Sequence, residues 1–217
     1  MKRSGLILAA GLSSRMGAFK PLMRIGGKTL IEYTAESLLA AAGSVTVVLG
    51  YREDEIRRVL RAAYPAEKVR FAFNPAYATT DMLASVKAGV AALDECDAFY
   101  LLPGDMPAVG ADTLFALTAA LESTDAKVAF PTVEGYRKHP PLIRFSCAGD
   151  ILSYAGEGGL RGIWRGYEGR IAEVPVQDRG CLLDADRMDD FLALADYLLR
   201  KQRFEQTAPK APNNEIG

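Results

Sequence analysis

The chain has 217 residues, of which 49% are hydrophobic and 24% charged, and this balance predicts one globular domain at residues 1–205. The formal net charge of -1 disfavours nucleic acid as a partner, because nucleic-acid-binding proteins carry a strong basic excess. Cys96, Cys147 and Cys181 are odd in number and far apart, which disfavours a disulfide framework and favours buried thiols. The single histidine, His139, excludes sites built from several histidines.

The N-terminus begins like a secretion signal, with Lys2 and Arg3 before an apolar stretch. That stretch ends near Leu12 and is followed by Arg15 and Lys20, so a buried strand explains it better than a signal peptide. No apolar run approaches the ~20 residues that a transmembrane helix requires. The sequence therefore predicts a cytoplasmic protein without a membrane partner.

Strand-like and helix-like patterns then alternate along the chain. Continuous apolar or β-branched runs predict strands at residues 6–12, 45–49, 71–73, 98–102 and 127–130. A capping box at Thr29 and Glu32 predicts the start of the first helix. Amphipathic spacing predicts further helices near residues 56–63, 82–93, 114–121 and 188–200.

This alternation is typical of an α/β fold in which helices cover both faces of a mostly parallel sheet, as in three-layer Rossmann-like proteins. Ligands of such folds bind at the carboxyl ends of the strands, so the loops at Gly11 and Gly104 are expected to open on one crevice. Residues 132–183 are less regular and rich in Gly, Pro and Arg, which predicts an insertion or lid over that crevice. Residues 206–217 predict a disordered tail.

The loop after the first strand has residues that suit a phosphate group. Gly11 allows close approach of backbone N–H groups, and Arg15 and Lys20 add cationic donors. The segment Gly27-Lys28-Thr29 is similar to the end of a P-loop, but that pattern requires glycine at the position of Leu22. The first loop does not fit the Gly-x-Gly-x-x-Gly dinucleotide pattern either, so a Walker ATPase and a dehydrogenase are both disfavoured.

Two acidic stretches are candidates for a metal site. Asp105 follows a buried strand between Gly104 and prolines, and it either binds a cation such as Mg²⁺ or caps the following turn. Asp184 and Asp186 precede the last helix, and one of the two is a candidate for the second carboxylate. The acidic pair at residues 189–190 is explained by the dipole of that helix alone.

Several short segments carry a resemblance to a known family. They are Leu8-Ala9-Ala10-Gly11, Ser14-Arg15-Met16-Gly17, Lys20-Pro21-Leu22, Gly104-Asp105-Met106-Pro107, His139-Pro140-Pro141, Gly156-Glu157-Gly158-Gly159-Leu160-Arg161 and Asp184-Ala185-Asp186. With these segments, the chain resembles the nucleotidyltransferases related to molybdenum cofactor cytidylyltransferase and guanylyltransferase, over about residues 5 to 200. The first loop is the most specific of these matches.

The resemblance implies a nucleotidyltransferase fold whose acceptor-side region is residues 132–183. It implies a Mg²⁺-dependent attack of a phosphate monoester, such as molybdopterin, on the α-phosphate of a nucleoside triphosphate, with release of pyrophosphate. Ala9-Ala10-Gly11 and Asp105-Met106-Pro107 are similar to the cytidylyl branch and favour CTP over GTP.

The resemblance also assigns roles to particular residues. Arg15, Lys20 and Asp105 are the expected catalytic residues, and Asp105 and Asp186, with Asp184 as the alternative, are the expected Mg²⁺ ligands. Nucleotide binding is expected of Ala9, Ala10, Gly11, Leu12, Ser14, Arg15, Lys20, Asn74 and Ser85. Acceptor binding is expected of His139, Arg161 and Trp164.

The chain departs from the family pattern where the acceptor is expected. Lys138 stands where glycine usually precedes the histidine, and Glu157 replaces an aspartate. These departures keep two alternatives open: a nucleotidyltransferase for a sugar phosphate or other small phosphate, and a non-catalytic nucleotide-binding factor for molybdoenzyme maturation. A monomer or weak dimer, with a molybdoenzyme or its chaperone as a partner, is the expected assembly.

Overall fold

The computed structural model describes residues 1–12 and 18–207. Its strands are β1 (Arg3–Ala9), β2 (Arg24–Ile25), β3 (Lys28–Thr29), β4 (Ser44–Leu49), β5 (Val69–Phe73), β6 (Ala98–Pro103), β7 (Val128–Val133), β8 (Tyr136–Arg137), β9 (Leu142–Arg144) and β10 (Ile171–Pro175). Its α-helices are α1 (Leu30–Leu39), α2 (Glu53–Ala63), α3 (Met82–Ala91), α4 (Ala111–Glu122), α5 (Ala148–Ser153), α6 (Leu160–Arg165) and α7 (Met188–Thr207).

One central sheet has the strand order β10-β7-β9-β6-β1-β4-β5, with β8 paired to β7. The pairs of β1 with β4 and β6, of β4 with β5 and of β7 with β10 are parallel. Strand β9 runs antiparallel between β6 and β7. The predicted α/β fold with a mostly parallel sheet is therefore confirmed.

Successive residues of a strand face opposite sides of the sheet, because side chains repeat every two residues. Ile7 of β1 belongs to a core shared with α1, α2 and α4, while its neighbour Leu6 belongs to a core shared with α3, α5 and α6. Both side chains are fully buried. The molecule thus has three layers, and α7 covers a smaller cluster around Ile25 and Leu30 beside the β2–β3 hairpin.

The first predicted strand and helix differ little from the structure. Strand β1 begins at Arg3 and ends at Ala9, so residues 10–12 belong to the loop that follows it. Helix α1 begins with the predicted capping box, in which the Glu32 carboxylate accepts a hydrogen bond from the backbone N–H of Thr29 at 2.7 Å. Gly26 and Gly27 form the turn of the β2–β3 hairpin that leads into this helix.

Residues 132–183 are more regular than their composition predicts. They include β8, β9 and β10 of the central sheet together with α5 and α6. Ile143 of β9 is paired with Phe99 of β6 and with Val128 of β7, so this part of the region lies inside the sheet. The backbone hydrogen bonds of β9 tie it to both neighbouring strands, while the assignment of residues 132–183 as an acceptor-side region or lid stays a prediction.

The three cysteines are free and buried, as the sequence predicts. Within residues 1–12 and 18–207, no helix combines the length and the apolar character that a membrane span requires. Helix α7 continues to Thr207, beyond the start of the predicted disordered tail, and residues 208–217 lie outside the described residues.

Candidate active site

A pocket of about 330 Å³ opens at the carboxyl ends of β1 and β6. Of the predicted nucleotide-binding residues, Ala9, Ala10, Gly11, Lys20 and Ser85 line it. It is also lined by Leu8, Pro21, Tyr77, Thr80, Asp81, Met82, Pro103, Gly104 and Asp105. The loops at Gly11 and Gly104 therefore open on one crevice, as the fold predicts.

Two further predicted nucleotide-binding residues that the structure describes, Leu12 and Asn74, do not line this pocket. Asn74 is 4% exposed, and its amide nitrogen donates a hydrogen bond to Ser85 Oγ at 3.0 Å. It therefore supports a pocket residue without lining the pocket. Leu12 is 47% exposed and is not a lining residue of this pocket. Ser14 and Arg15 lie outside the described residues.

Lys20 lies between two of the predicted metal ligands. Its side chain is 10% exposed, and its Nζ atom is 2.8 Å from Asp186 Oδ1 and 3.4 Å from Asp105 Oδ2. The chain brings these residues together from a 3-10 turn that begins at Lys20, from the end of β6 and from the segment before α7. One ammonium group thus offsets the charge of two carboxylates that lie far apart in sequence.

The loop that holds Asp105 is fixed by the backbone around Gly104. The Gly104 N–H donates to Leu8 O at 2.9 Å, and its carbonyl accepts from Thr34 Oγ1 at 2.9 Å. A Cβ atom at Gly104 would lie only 2.9 Å from Leu8 O, so a side chain here would displace the strand end. Among the described residues, Lys20 is the hydrogen-bond partner of the Asp105 carboxylate, which disfavours the alternative of a turn cap.

Asp184 lies close enough to this site to be affected by its charge. Burial raises the pKa of Asp184, and the charges of Asp186 and Asp105 raise it further. A hydrogen bond from the backbone of Asp186 opposes these effects. The part of the chain that the structure describes contains no group of three or more Asp, Glu, His or Cys side chains arranged for a metal ion. Two carboxylates completed by phosphate oxygens are, however, sufficient for Mg²⁺.

A second cavity, of about 930 Å³, adjoins the first at Asp81 and Met82, which line both. The three predicted acceptor-site residues, His139, Arg161 and Trp164, all line this larger cavity. Its other lining residues are Leu83, Leu101, Phe130, Arg137, Lys138, Pro141, Gly158, Gly159, Leu160, Arg165 and Glu168. The arrangement accommodates two ligands side by side.

His139 lies in the wall of the larger cavity, where its imidazole ring is largely shielded from water. Burial lowers its pKa, while a hydrogen bond with the backbone of Leu101 and the charge of Asp105 raise it. Its Nδ1 atom is buried and has no hydrogen-bond partner among the described residues. If Nδ1 carried the proton, a buried N–H donor would lack an acceptor, which costs more free energy than an unpaired lone pair. The tautomer protonated at Nε2 is therefore favoured.

Sequence reasoning missed part of the pocket wall. Tyr77, Thr80 and Asp81 come from the connection between β5 and α3, and Met82 is the first residue of α3. The signal present in the sequence was Asp81, whose side chain accepts a hydrogen bond from the Ala84 N–H at 3.2 Å and caps α3. That capping pattern predicts a helix start but does not indicate that the preceding residues face a ligand.

Comparison with known proteins places this chain among nucleotidyltransferases. Residues 5–173 match the MobA-like NTP transferase domain. Molybdenum cofactor cytidylyltransferase of Escherichia coli strain K12 is 29% identical over 187 residues, which cover 86% of this chain and 92% of that protein. Molybdenum cofactor guanylyltransferase of Cupriavidus metallidurans is 28% identical over 196 residues, covering 86% and 91%.

A solved structure of a nucleotidyl transferase has a similar fold. A nucleotidyl transferase from Methanothermobacter superposes with a TM-score of 0.76 at 25% identity, covering 92% of this chain and 99% of the other. The family model spans more than half of the chain, including the first loop and the Asp105 loop. This protein therefore belongs to the MobA-like NTP transferase family.

Proposed function

We propose that this protein is a Mg²⁺-dependent nucleotidyltransferase that transfers CMP from CTP to the phosphate group of molybdopterin or the molybdenum cofactor. Pyrophosphate is the second product. The observation that carries the proposal is the position of Lys20 between Asp105 and Asp186 on the wall of the smaller pocket. Phosphoryl chemistry depends on such cations placed in advance beside the reacting phosphate.

In this proposal, an oxygen of the acceptor phosphate forms a bond to the α-phosphorus of CTP. The bond from that phosphorus to the bridging oxygen breaks, and pyrophosphate leaves with the electron pair. Lys20 neutralises negative charge on the α-phosphate as this bond breaks, and Arg15 binds the β- and γ-phosphates. The attacking phosphate is already anionic, so the reaction needs no general base.

Asp105 and Asp186 are the proposed Mg²⁺ ligands, and Asp184 is the alternative to Asp186. Their carboxylate oxygens suit a hard cation that completes its coordination with phosphate oxygens. When bound, Mg²⁺ supplies positive charge to the phosphate groups. Because Lys20 bonds to both carboxylates, the lysine and the cation are expected to compete for them.

The two cavities define the proposed substrate sites. Ala9, Ala10, Gly11 and Ser85 line the smaller pocket, which we assign to the nucleotide, and Leu12 and Ser14 are proposed to extend it. The larger cavity, which is lined by His139, Arg161 and Trp164, is assigned to the acceptor. The preference for CTP is supported by the Ala9-Ala10-Gly11 pattern and by the similarity to the Escherichia coli cytidylyltransferase.

Pyrophosphate release tests the proposal. The protein is incubated with Mg²⁺, molybdenum cofactor and, separately, CTP, GTP, ATP and UTP. Release is expected with CTP, and Asp105→Asn is expected to abolish it while Asp94→Asn, which removes an exposed partner of Arg70, leaves it unchanged. Absence of release with every nucleotide would contradict the proposal.

Lys138 favours a second candidate, a smaller phosphorylated acceptor such as a sugar phosphate. This lysine replaces the family glycine and lines the acceptor cavity. Faster pyrophosphate release with a sugar phosphate than with molybdenum cofactor identifies that acceptor. Nucleotide binding without turnover, across all acceptors and metals, identifies the non-catalytic maturation factor instead.

The assembly is also a proposal. We expect a monomer or weak dimer that delivers its product to a molybdoenzyme or to the chaperone of that enzyme. Light scattering over a concentration series measures the assembly, and a stable oligomer at low concentration contradicts this part of the proposal.

A further inference from the structure

The larger cavity has more positive charge on its wall than a single phosphate group requires. Four of its lining residues are cations, Arg137, Lys138, Arg161 and Arg165, and two are acidic. Of the acidic pair, Asp81 is already engaged as the cap of α3. The cavity wall therefore favours an anionic ligand.

Two of these cations have no partner within the described part of the chain. Arg137 bonds to Glu173 Oε1 at 2.8 Å, and Lys138 lies 5.9 Å from the centre of the Tyr136 ring. The guanidinium groups of Arg161 and Arg165, by contrast, form no hydrogen bond or ion pair with any described residue. Unpaired arginines beside a cavity are available to bind carboxylate or phosphate oxygens.

The two unpaired arginines share one face of α6. Residues four apart on a helix are neighbours, so like charges at positions 161 and 165 repel each other unless an anion lies between them. Trp164 is held beside them by an edge contact with Phe130, at 5.8 Å between ring centres. This packing fixes the direction of the helix and brings both guanidinium groups to the same cavity.

The two arginines and the catalytic residues line different cavities. Lys20 and Asp105 line the smaller pocket and not the larger one, whereas Arg161 and Arg165 line only the larger one. The two cavities share Asp81 and Met82. An acceptor that occupies the larger cavity and directs its phosphate toward Lys20 would therefore have another part of its surface beside the arginines.

We infer that Arg161 and Arg165 bind a second anionic group of the acceptor, separate from the phosphate that attacks CTP. This inference rests on the proposed function and names its substrate class: a phosphate ester that carries another carboxylate, phosphate or comparable anion on its far side. The two arginines are then specificity residues, and an acceptor whose far side is neutral binds weakly.

Two sugar phosphates that differ in one group test this inference. Glucuronic acid 1-phosphate has a carboxylate where glucose 1-phosphate has a neutral hydroxymethyl group. Trp164 is the single tryptophan of the chain and lines the cavity, so its fluorescence reports binding directly. The wild-type protein is expected to bind the glucuronic acid ester at least tenfold more tightly than the glucose ester.

The double variant R161Q/R165Q is expected to remove this preference. The control R58Q/R61Q removes two charges from α2, outside both cavities, and is expected to retain the preference. Equal binding of the two esters by the wild-type protein, or no binding of either, overturns the inference. Equal weakening of both esters in R161Q/R165Q also overturns it, because the arginines then bind the shared phosphate.

This binding test is independent of turnover. Failure of pyrophosphate release with all nucleotides contradicts the proposed function, whereas equal binding of the two esters by the wild-type protein contradicts only the second anion site. Circular dichroism of R161Q/R165Q checks the fold, which is expected to persist because both arginines are exposed.

Discussion

Replacing Lys20 by methionine is expected to make the protein bind a divalent cation more tightly in the absence of nucleotide. Methionine keeps much of the buried length of the side chain and removes the ammonium group. In the structure that group holds Asp186 at 2.8 Å and Asp105 at 3.4 Å, so a cation that binds these carboxylates must displace it. The variant is also expected to lose turnover, because the proposed reaction uses the Lys20 ammonium group to neutralise charge on the α-phosphate.

The size of the effect follows from the two contacts. A hydrogen bond to a charged group contributes about 1.5–3 kcal/mol when well formed. The Asp105 and Asp186 side chains are 26% and 46% exposed, and the contact with Asp105 is long. Because solvent screens such contacts, the two together are expected to contribute about as much as one well-formed bond at the lower end of this range. Releasing both contacts is therefore expected to improve cation binding by about 2 kcal/mol, which is about 30-fold in Kd.

Calorimetric titration of Mn²⁺ into nucleotide-free protein measures this change. Lys28→Met is the matched control, because Lys28 pairs with Glu36 at 2.6 Å on the surface and is not a residue of either cavity. The control is expected to bind Mn²⁺ as the wild-type protein does. If Lys20→Met binds Mn²⁺ no more tightly than the wild type, Lys20 does not compete with the cation and the argument fails.

Three further predictions concern the frame of the site. Gly89→Ala places a Cβ atom 2.4 Å from Leu6 Cδ1, so the free energy of unfolding in urea should fall by about 1–3 kcal/mol. Gly149→Ala, where the added Cβ meets no atom within 4 Å, should cause no such loss. Asn74→Ala removes the bond to Ser85 and should raise the KM for CTP more than the KM for the acceptor; an unchanged KM for CTP contradicts the supporting role. The NMR titration midpoint of His139 should lie below the ordinary pKa of 6.5, because burial disfavours the charged ring; a midpoint at or above 6.5 contradicts this. Folding stability should then decrease as the pH is lowered through 6.5, because the unfolded imidazole takes up its proton first.

Local patterns were sufficient to predict most of the frame. Strand β4 and the capping box at Thr29 need only a β-branched run and two residues three apart, and both signals lie within a few residues of chain. Strand β9 was missed because its three residues are too few for a periodic signal. Its place between β6 and β7 depends on partners distant in sequence.

For the candidate site, the sequence by itself determined the residue types: a glycine loop after β1, a lysine, and acids after β6 and before α7. These residue types follow from short motifs, and the family resemblance that the motifs carry implied nucleotidyl transfer. Only the tertiary structure decided that Lys20 bonds to both Asp105 and Asp186, and that Arg161 and Arg165 line a different cavity. The physical reason is that a short motif specifies the chemistry of its side chains, whereas the distances between motifs are set by the packing of the whole sheet and its helices.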